Sequence, residues 1–372
     1  MAGLYIHIPF CASRCIYCGF YSTTHQELRQ RYVDALCLEM QQRDNHTDAV
    51  GTIYLGGGTP SQLEPSQLQQ LFYYINKVYG LSEGQEITIE CNPDDLTPAY
   101  VEALAQLPIN RISMGVQTFC DERLRFLHRR HNARQIPEAI DRLRQAGFCN
   151  ISIDLMYGFP GETISQWHYD IDQALALNVE HISAYSLMIE EGTPLHQLIT
   201  DDSQLIDEET ERQMFFDLID RLAHAGYEHY ELSNFAKKPA NTHRSRHNSS
   251  YWHAIPYIGL GAAAHSYNGF DRRRWNVSNL QQYLDGIESG KPLFDYEVLD
   301  ADTRYNEQVM TALRTCEGLG IDRLSPRHRS YCLCQARRFI TDGLLDYNGT
   351  ALRLTRKGLF VSNMVMSELM IV

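Results

Sequence analysis

The stretch LYIHIPFCASRCIYCGFYS, residues 4–22, places three cysteines directly behind an apolar run near the start of the chain. Cys11, Cys15 and Cys18 have the spacing C-x3-C-x2-C, and Phe20 follows instead of a fourth cysteine. Three thiols on one short loop are typical of metal or redox sites. The identity of the missing fourth ligand therefore decides how the stretch is interpreted.

Two kinds of metal site compete for these cysteines. Structural zinc closes its tetrahedron with a fourth Cys or His, and His7 or His25 is near enough in sequence to supply it. A ferredoxin cluster also uses four cysteines. A [4Fe–4S] cluster held by only three cysteines keeps one iron open to an external ligand, as catalysis requires. We favour the cluster, because further motifs follow the predicted strands where such a ligand would bind.

The composition indicates a globular protein of more than one domain. The chain has 372 residues, of which 44% are hydrophobic, and no apolar run reaches the ~18 residues that span a bilayer. Residues 1–8 lack a basic segment and a cleavage site, so we expect no signal peptide. Ten cysteines then indicate a reducing, cytoplasmic setting in which clustered thiols bind metal. The formal charge of −13 argues against nucleic acid as a partner.

Short β-branched runs alternate with amphipathic helical segments from residue 4 to about residue 235. This alternation predicts a parallel sheet with right-handed crossovers, whose apolar strands are buried on both faces. About six units fit a partial (β/α)6 barrel, with its active site at the carboxyl ends of the strands. The predicted strands are Leu4–Ile8, Thr52–Leu55, Glu86–Glu90, Arg111–Gly115, Asn150–Met156 and Glu180–Leu187.

We divide the chain into three parts. Residues 1–235 form the partial barrel, and residues 236–298 form an extension that is rich in Asn, Ser, Gly and aromatics. Residues 299–372 contain helices and a hairpin around Asn348 and Gly349, which predicts a winged-helix-like α+β domain. Within the extension, the glycines of GLGAAA (259–264) predict close backbone packing rather than a dinucleotide site, because the βαβ context is absent.

Glycine-rich or polar positions follow the predicted strands. The loop GGGTPS (56–61) lets backbone atoms approach a ligand closely, although a tight turn also explains it. Glu90, Gln117 and Asp154 lie at or near the ends of three further strands, where polar side chains serve as site residues. Arg129 offers a positive charge for a carboxylate, and a solvated helix end explains it equally well.

Together these motifs resemble a known family. LYIHIPFCASRCIYCGFYS, GGGTPS, GVQTF, DLMYGFPGET and HNSSYW…GLGAAAHSY are similar to the oxygen-independent coproporphyrinogen III oxidase-like family of the radical S-adenosylmethionine superfamily. The resemblance covers nearly the whole chain and is greatest to the shorter, heme-chaperone branch. It implies a [4Fe–4S] cluster on Cys11, Cys15 and Cys18, with S-adenosylmethionine on the open iron. The residues it implies around one or two S-adenosylmethionine molecules are Tyr5, Tyr17, Gly57, Gly58, Thr59, Glu90, Gln117, Arg129 and Asp154.

Two differences separate the chain from the oxidase. The oxidase motif continues as Cys-x-Cys after the third cluster cysteine, whereas here Gly19 is followed by Phe20. The oxidase also has an N-terminal arm, whereas the first predicted strand here begins at Leu4. The resemblance therefore favours a heme chaperone over an enzyme that decarboxylates the propionates of coproporphyrinogen. If the radical step is used, the protein is an oxidoreductase of the coproporphyrinogen dehydrogenase type.

The heme-chaperone branch resembles this chain at RHNSSYW, residues 246–252. His247, beside Tyr251 and Trp252, could give heme an axial imidazole and an apolar wall. The spacing alone favours an ordinary loop histidine, and the resemblance reverses that preference. Heme and S-adenosylmethionine are thus the expected ligands, with an unidentified heme acceptor and electron donor. Transient contact with a membrane surface is compatible with this interpretation.

One alternative belongs to a different functional class. A zinc-containing protein that binds nucleic acid through its basic C-terminal part would use the same cysteines. The acidic balance of the whole chain weighs against it.

Overall fold

The computed structural model describes residues 1–43, 49–199, 205–239 and 242–372. Its largest element is a twelve-stranded sheet. The strands of this sheet are β1 (Ala2–Ile8), β2 (Val50–Gly57), β3 (Glu86–Cys91), β4 (Arg111–Gln117), β5 (Ile151–Tyr157), β6 (His181–Ser186), β7 (Tyr227–Glu231), β8 (Asn234–Lys237), β9 (Tyr257–Leu260), β10 (His265–Tyr267), β11 (Arg272–Asn276) and β12 (Phe294–Val298).

The sheet is parallel at its centre and antiparallel at both edges. Its order is β12-β11-β10-β9-β1-β2-β3-β4-β5-β6-β8-β7. Strands β1 to β6 pair in parallel in chain order, and β9 adds a further parallel strand beside β1. The predicted α/β class and partial barrel are therefore confirmed, and each predicted strand is present within a few residues of its expected bounds.

The helices connect the strands, pack against the sheet or form the C-terminal part. They are α1 (Arg29–Gln42), α2 (Pro65–Tyr79), α3 (Pro98–Leu104), α4 (Asp121–Phe126), α5 (Gln135–Gln145), α6 (Ile164–Ala176), α7 (Pro194–Leu198), α8 (Glu208–His224), α9 (Arg246–Trp252), α10 (Leu280–Glu288), α11 (Ala301–Ala312), α12 (Pro326–Thr341), α13 (Arg356–Phe360) and α14 (Ser362–Leu369). Local sequence sets their ends. A capping box between Glu64 and Gln67 starts α2, and Gly147, in a left-handed conformation, follows the end of α5.

The central strands each have one apolar and one polar face. On β4 the side chains of Ile112, Met114 and Val116 are buried in the main core. The alternate residues of the same strand, Arg111, Ser113, Gly115 and Gln117, line a cavity instead. The two-residue repeat of a strand produces this division. The strands are buried on both faces, as predicted, although their inner face surrounds a polar cavity instead of a second apolar core.

The extension at 236–298 is part of the same sheet. The predicted boundary after residue 235 falls inside β8, and β9 to β12 continue the sheet beyond β1. Helix α9 closes the amino end of the barrel. Glu86, the first residue of β3, holds it there, because its carboxylate accepts hydrogen bonds from the backbone N–H groups of Arg246 and His247, at 3.0 and 2.9 Å. The predicted close packing of GLGAAA is also found, since a Cβ on Gly261 would lie 2.4 Å from the Tyr32 hydroxyl.

The C-terminal part has its own small core. Helices α11 to α14 pack with a three-stranded antiparallel sheet of β13 (Leu319–Gly320), β14 (Leu345–Tyr347) and β15 (Ala351–Leu354). The predicted hairpin at Asn348 and Gly349 joins β14 to β15. Several basic side chains here are paired with acids: Arg327 with Asp302, Arg338 with Glu368, and Arg356 with Asp220. No helix formed by the described residues is long and apolar enough to cross a bilayer.

Replacing Gly261 with alanine should destabilise the fold strongly. This residue has φ +100°, and its new methyl group would also overlap the Tyr32 hydroxyl and the His7 carbonyl. We expect a loss of roughly 3 kcal/mol or more in the free energy of unfolding, measured with urea.

Gly290→Ala is the matched control. Gly290 has φ +69° but open space around its Cβ position, so only the backbone cost of about 1–2 kcal/mol applies. Equal losses in the two variants would contradict the packing explanation.

Candidate functional site

A cavity of about 690 Å³ lies inside the partial barrel and opens at the carboxyl ends of the central strands. All the site residues predicted from the sequence line this one cavity: Cys11, Cys15, Cys18, Tyr5, Tyr17, Gly57, Gly58, Thr59, Glu90, Gln117, Arg129, Asp154 and His247. They come from several strands and loops distant in sequence. The fold therefore brings the predicted residues together, while their roles towards ligands stay predictions.

The cysteine loop is fixed by its own backbone. Pro9 and Thr23 close its base, because Thr23 N–H donates to the Pro9 carbonyl at 2.7 Å and Cys11 N–H donates to the Thr23 carbonyl at 2.9 Å. Within the loop, Cys18 N–H donates to the Cys15 carbonyl at 3.3 Å. The three thiols are thus held on one wall of the cavity, near its open end.

The donor set fits an iron–sulfur cluster, because three cysteine thiols line one cavity and thiolates are the ligands of such clusters. Among the described residues, no group of three or more His, Cys, Asp or Glu side chains is arranged to hold one metal ion. Burial raises the pKa of Cys11 and Cys18, so a cationic centre is needed to hold them as thiolates.

The two histidines that zinc could have recruited are engaged elsewhere. His7 has Nε2 2.9 Å from the Tyr21 carbonyl oxygen and Nδ1 3.0 Å from the Tyr5 hydroxyl. Burial lowers the pKa of His7 to about 4. His25 is exposed and pairs with Glu27 at 3.0 Å. The arrangement gives the zinc alternative no support.

The glycine run is required by the packing of the protein itself. A Cβ on Gly58 would lie 2.6 Å from the carbonyl carbon of Pro9, and one on Gly57 would lie 2.5 Å from the His7 ring. Gly57 also has φ +114°, which disfavours any other residue. The loop can therefore lie against the start of the cysteine loop, and Thr59 Oγ1 reaches within 3.5 Å of Cys11 Sγ.

Glu90 is a largely buried carboxylate on β3 with two protein donors. The Tyr54 hydroxyl donates to Oε1 at 2.7 Å, and Gly57 N–H donates to Oε2 at 3.1 Å. Burial raises the pKa of Glu90 to about 7, and the nearby Asp154 adds to this effect. Each carboxylate oxygen keeps a lone pair that a ligand hydroxyl group can use.

Arg129 is not a solvated helix end. Its guanidinium points into the cavity, where Nη2 donates to Asn92 Oδ1 and to the Gly115 carbonyl, both at 2.6 Å, and Nη1 lies 3.6 Å from Cys15 Sγ. Gln117 ends β4 with φ +70°, a strained value for a residue other than glycine. This backbone turns the strand end towards the cavity next to Arg129.

His247 lies at the closed end of the cavity, and both its ring nitrogens are engaged. Nδ1 is 2.9 Å from Thr52 Oγ1, and Nε2 is 2.8 Å from the Tyr251 hydroxyl. Burial lowers the pKa of His247 to about 3, and the positive charge of Arg111 contributes. An iron atom could bind this ring only after one of these hydrogen bonds opens.

Two features of the cavity were missed from the sequence. Phe20 and Met188 line its open end, and their side chains are 70% and 66% exposed. Arg111 lines its closed end and is buried. The two-residue repeat that links Arg111 to Gln117 along β4 was a usable signal for Arg111. The position of Met188 depends on the loop after β6, for which the sequence offered no signal.

The chain matches the family models of two domains. Residues 5–174 match the radical SAM superfamily, and residues 299–361 match the HemN C-terminal domain. The first range contains most of β1 and all of β2 to β5, and the second contains much of the C-terminal part.

Curated relatives match along almost the whole chain. The chain is 35% identical to the heme chaperone HemW of Bacillus subtilis, with 98% of each protein covered. It is 32% identical to the heme chaperone HemW of Mycobacterium tuberculosis, covering 99% of this chain and 94% of that protein.

A solved structure has the same fold. The coproporphyrinogen III oxidase HemN of Escherichia coli, described as a radical SAM enzyme, superposes with a TM-score of 0.86 at 23% identity. The match covers 99% of this chain and 89% of that one. At this identity the likeness concerns the fold.

Replacing Glu90 with glutamine should stabilise the ligand-free protein at alkaline pH. The folded state raises the pKa of Glu90 from about 4.5 to about 7, so it favours the protonated form. The stability that the Glu90 carboxyl group contributes is fully present below pH 4.5 and is lost as the pH rises through 7. We expect the free energy of unfolding of Glu90→Gln to exceed that of the wild type by about 1–3 kcal/mol at pH 8. Near pH 5 this difference should disappear.

Glu102→Gln, on the exposed face of α3, is the control and should change stability little at either pH. The explanation fails if Glu90→Gln shifts stability equally at pH 5 and pH 8.

Proposed function

We propose that this protein is a heme chaperone. The chain belongs to the radical SAM superfamily and, within it, to the family of proteins named heme chaperone HemW. It would bind heme and pass it to an acceptor protein in the cytoplasm. The observation that carries the proposal is the open end of the cavity, where Phe20 and Met188 form an exposed apolar rim beside the three cysteines. A flat apolar macrocycle can bury such a rim.

The proposal includes a [4Fe–4S] cluster held by Cys11, Cys15 and Cys18. These three thiols line the same cavity, and three cysteine ligands leave one iron of such a cluster open to S-adenosylmethionine. When bound, such a cluster supplies one electron to S-adenosylmethionine. The protein holds the loop with backbone hydrogen bonds and places Arg129 and Thr59 beside the sulfur atoms of Cys15 and Cys11.

S-adenosylmethionine is the proposed ligand of the cavity next to the cysteines. Glu90 would accept hydrogen bonds from ribose hydroxyls, and Arg129 would attract a carboxylate. Gly57 and Gly58 would present backbone groups at the loop after β2. The remaining proposed contacts are Tyr5, Tyr17, Thr59, Gln117 and Asp154, which line the same cavity.

His247 stays a candidate heme contact, and its test is a spectrum. If His247 binds heme iron, His247→Gln should change the absorption spectrum of bound heme. If His247 only supports the barrel floor through Thr52 and Tyr251, the spectrum should stay the same.

The cluster can be tested by metal analysis. Cys15→Ala should lose most of the roughly four irons and four sulfides per chain that anaerobic reconstitution gives the wild type. Cys149→Ala is the matched control, because Cys149 is also a free cysteine but is exposed and outside the cavity. Iron-free protein that binds zinc instead would contradict the proposal.

The rim can be tested by heme titration of reconstituted protein. Phe20→Ala should weaken heme binding about tenfold or more, because one buried aromatic side chain contributes about 1.5–3 kcal/mol. Phe270→Ala is the matched control, since Phe270 is 63% exposed but lies outside the cavity.

The reconstituted wild-type protein should not convert coproporphyrinogen III to protoporphyrinogen. Substrate-dependent turnover without heme binding would identify the protein as an oxygen-independent coproporphyrinogen III oxidase. Equal heme affinity in the wild type and Phe20→Ala would exclude the rim as the heme-binding surface.

A further inference from the structure

Arg111 is a buried arginine with an unsatisfied head group. Its side chain is 1% exposed, and its Nε has no hydrogen-bond partner among the described residues. The residue lines the cavity together with His247 and Asn248. Burying a guanidinium without direct partners is costly, so a group that binds there should be anionic.

The position of Arg111 places it far from the cysteines. It begins β4, whereas Gln117 ends this strand at the cluster side of the cavity. Six residues of strand separate the two Cα atoms by roughly 20 Å. Arg111 lies two residues before Ser113 on the inner face of β4, and Ser113 pairs with Glu90 on β3. Arg111 therefore belongs to the closed end of the barrel and projects into a cavity that opens at the other end.

In the described part of the chain, Arg111 acts on the nearby acidic groups by charge. Its charge lowers the pKa of Glu90 and of Asp154 through space, with no hydrogen bond to either carboxylate. The oxygens of Glu90 already accept from Tyr54 and Gly57. His247 and His181 stay neutral, because burial and the charge of Arg111 lower the pKa of each ring.

We propose that Arg111 binds a carboxylate of the ligand at the closed end of the cavity. The planar guanidinium offers two parallel N–H donors, which match the two oxygens of a carboxylate. The proposal rests on the proposed function, which provides a propionate of heme as this group, because the carboxylate of S-adenosylmethionine is already assigned to Arg129 beside Cys15. The competing explanation is that Arg111 only balances the charges of Glu90 and Asp154.

Ester chemistry on the wild-type protein gives the first test. Reconstituted protein is titrated with heme and with heme dimethyl ester, whose propionates carry no charge. We expect heme to bind about tenfold or more tightly than the ester, as the loss of a charged hydrogen bond predicts. In Arg111→Gln this preference should disappear, and in Arg111→Lys it should be partly kept.

A second arm tests whether the effect is specific to heme. S-adenosylmethionine and its decarboxylated analogue are compared in the wild type and in Arg111→Gln. Because Arg129 is the proposed partner of the S-adenosylmethionine carboxylate, Arg111→Gln should leave the preference for the intact molecule unchanged, and a reduced preference would overturn the inference. Arg14→Gln, which removes an exposed arginine lining the same cavity, should alter neither ratio.

The outcomes separate this inference from the proposed function. Wild-type protein that binds no heme overturns the proposed function. Heme binding with both ratios unchanged in Arg111→Gln overturns the inference and leaves charge balance as the role of Arg111. Loss of the heme-to-ester preference in Arg14→Gln but not in Arg111→Gln also overturns it, because the carboxylate would then lie at the open end.

Discussion

The structure depends on the two-residue repeat of its central parallel strands. One set of side chains packs against the helices, and the alternate set surrounds a cavity inside the partial barrel. Because the strands are parallel, their carboxyl ends meet at one end of that cavity, where the cysteine loop and the glycine loop both begin. Helix α9 closes the opposite end through Glu86. The site therefore has an open, apolar rim and a closed, polar floor.

The polar and charged side chains inside the cavity lower the stability of the folded protein, and they provide contacts for a ligand. Glu90 and Asp154 are largely buried carboxyl groups whose pKa is raised by burial, and Arg111 is a buried cation whose Nε has no hydrogen-bond partner among the described residues. Gln117 adds backbone strain at the end of β4. Groups of this kind persist where a ligand uses them. Their concentration on one cavity wall distinguishes this surface from the apolar core behind the same strands.

Much of the fold and of the site follows from local sequence signals. The six strands and the hairpin at Gly349 each depend on neighbouring residues, so they could be predicted. The features that were missed depend on tertiary pairing. The joining of β9 to β1 depends on a distant partner, and the engagement of both His247 nitrogens depends on Thr52 and Tyr251. The glycine loop was located correctly, but its packing against Pro9 could not be read from its own residues.

The most direct test of the account is a heme titration of anaerobically reconstituted protein, with iron content and coproporphyrinogen III turnover measured on the same sample. The account predicts about four irons per chain, saturable binding of heme and no formation of protoporphyrinogen. An iron-loaded sample that binds no heme, or one that converts coproporphyrinogen III, would contradict it.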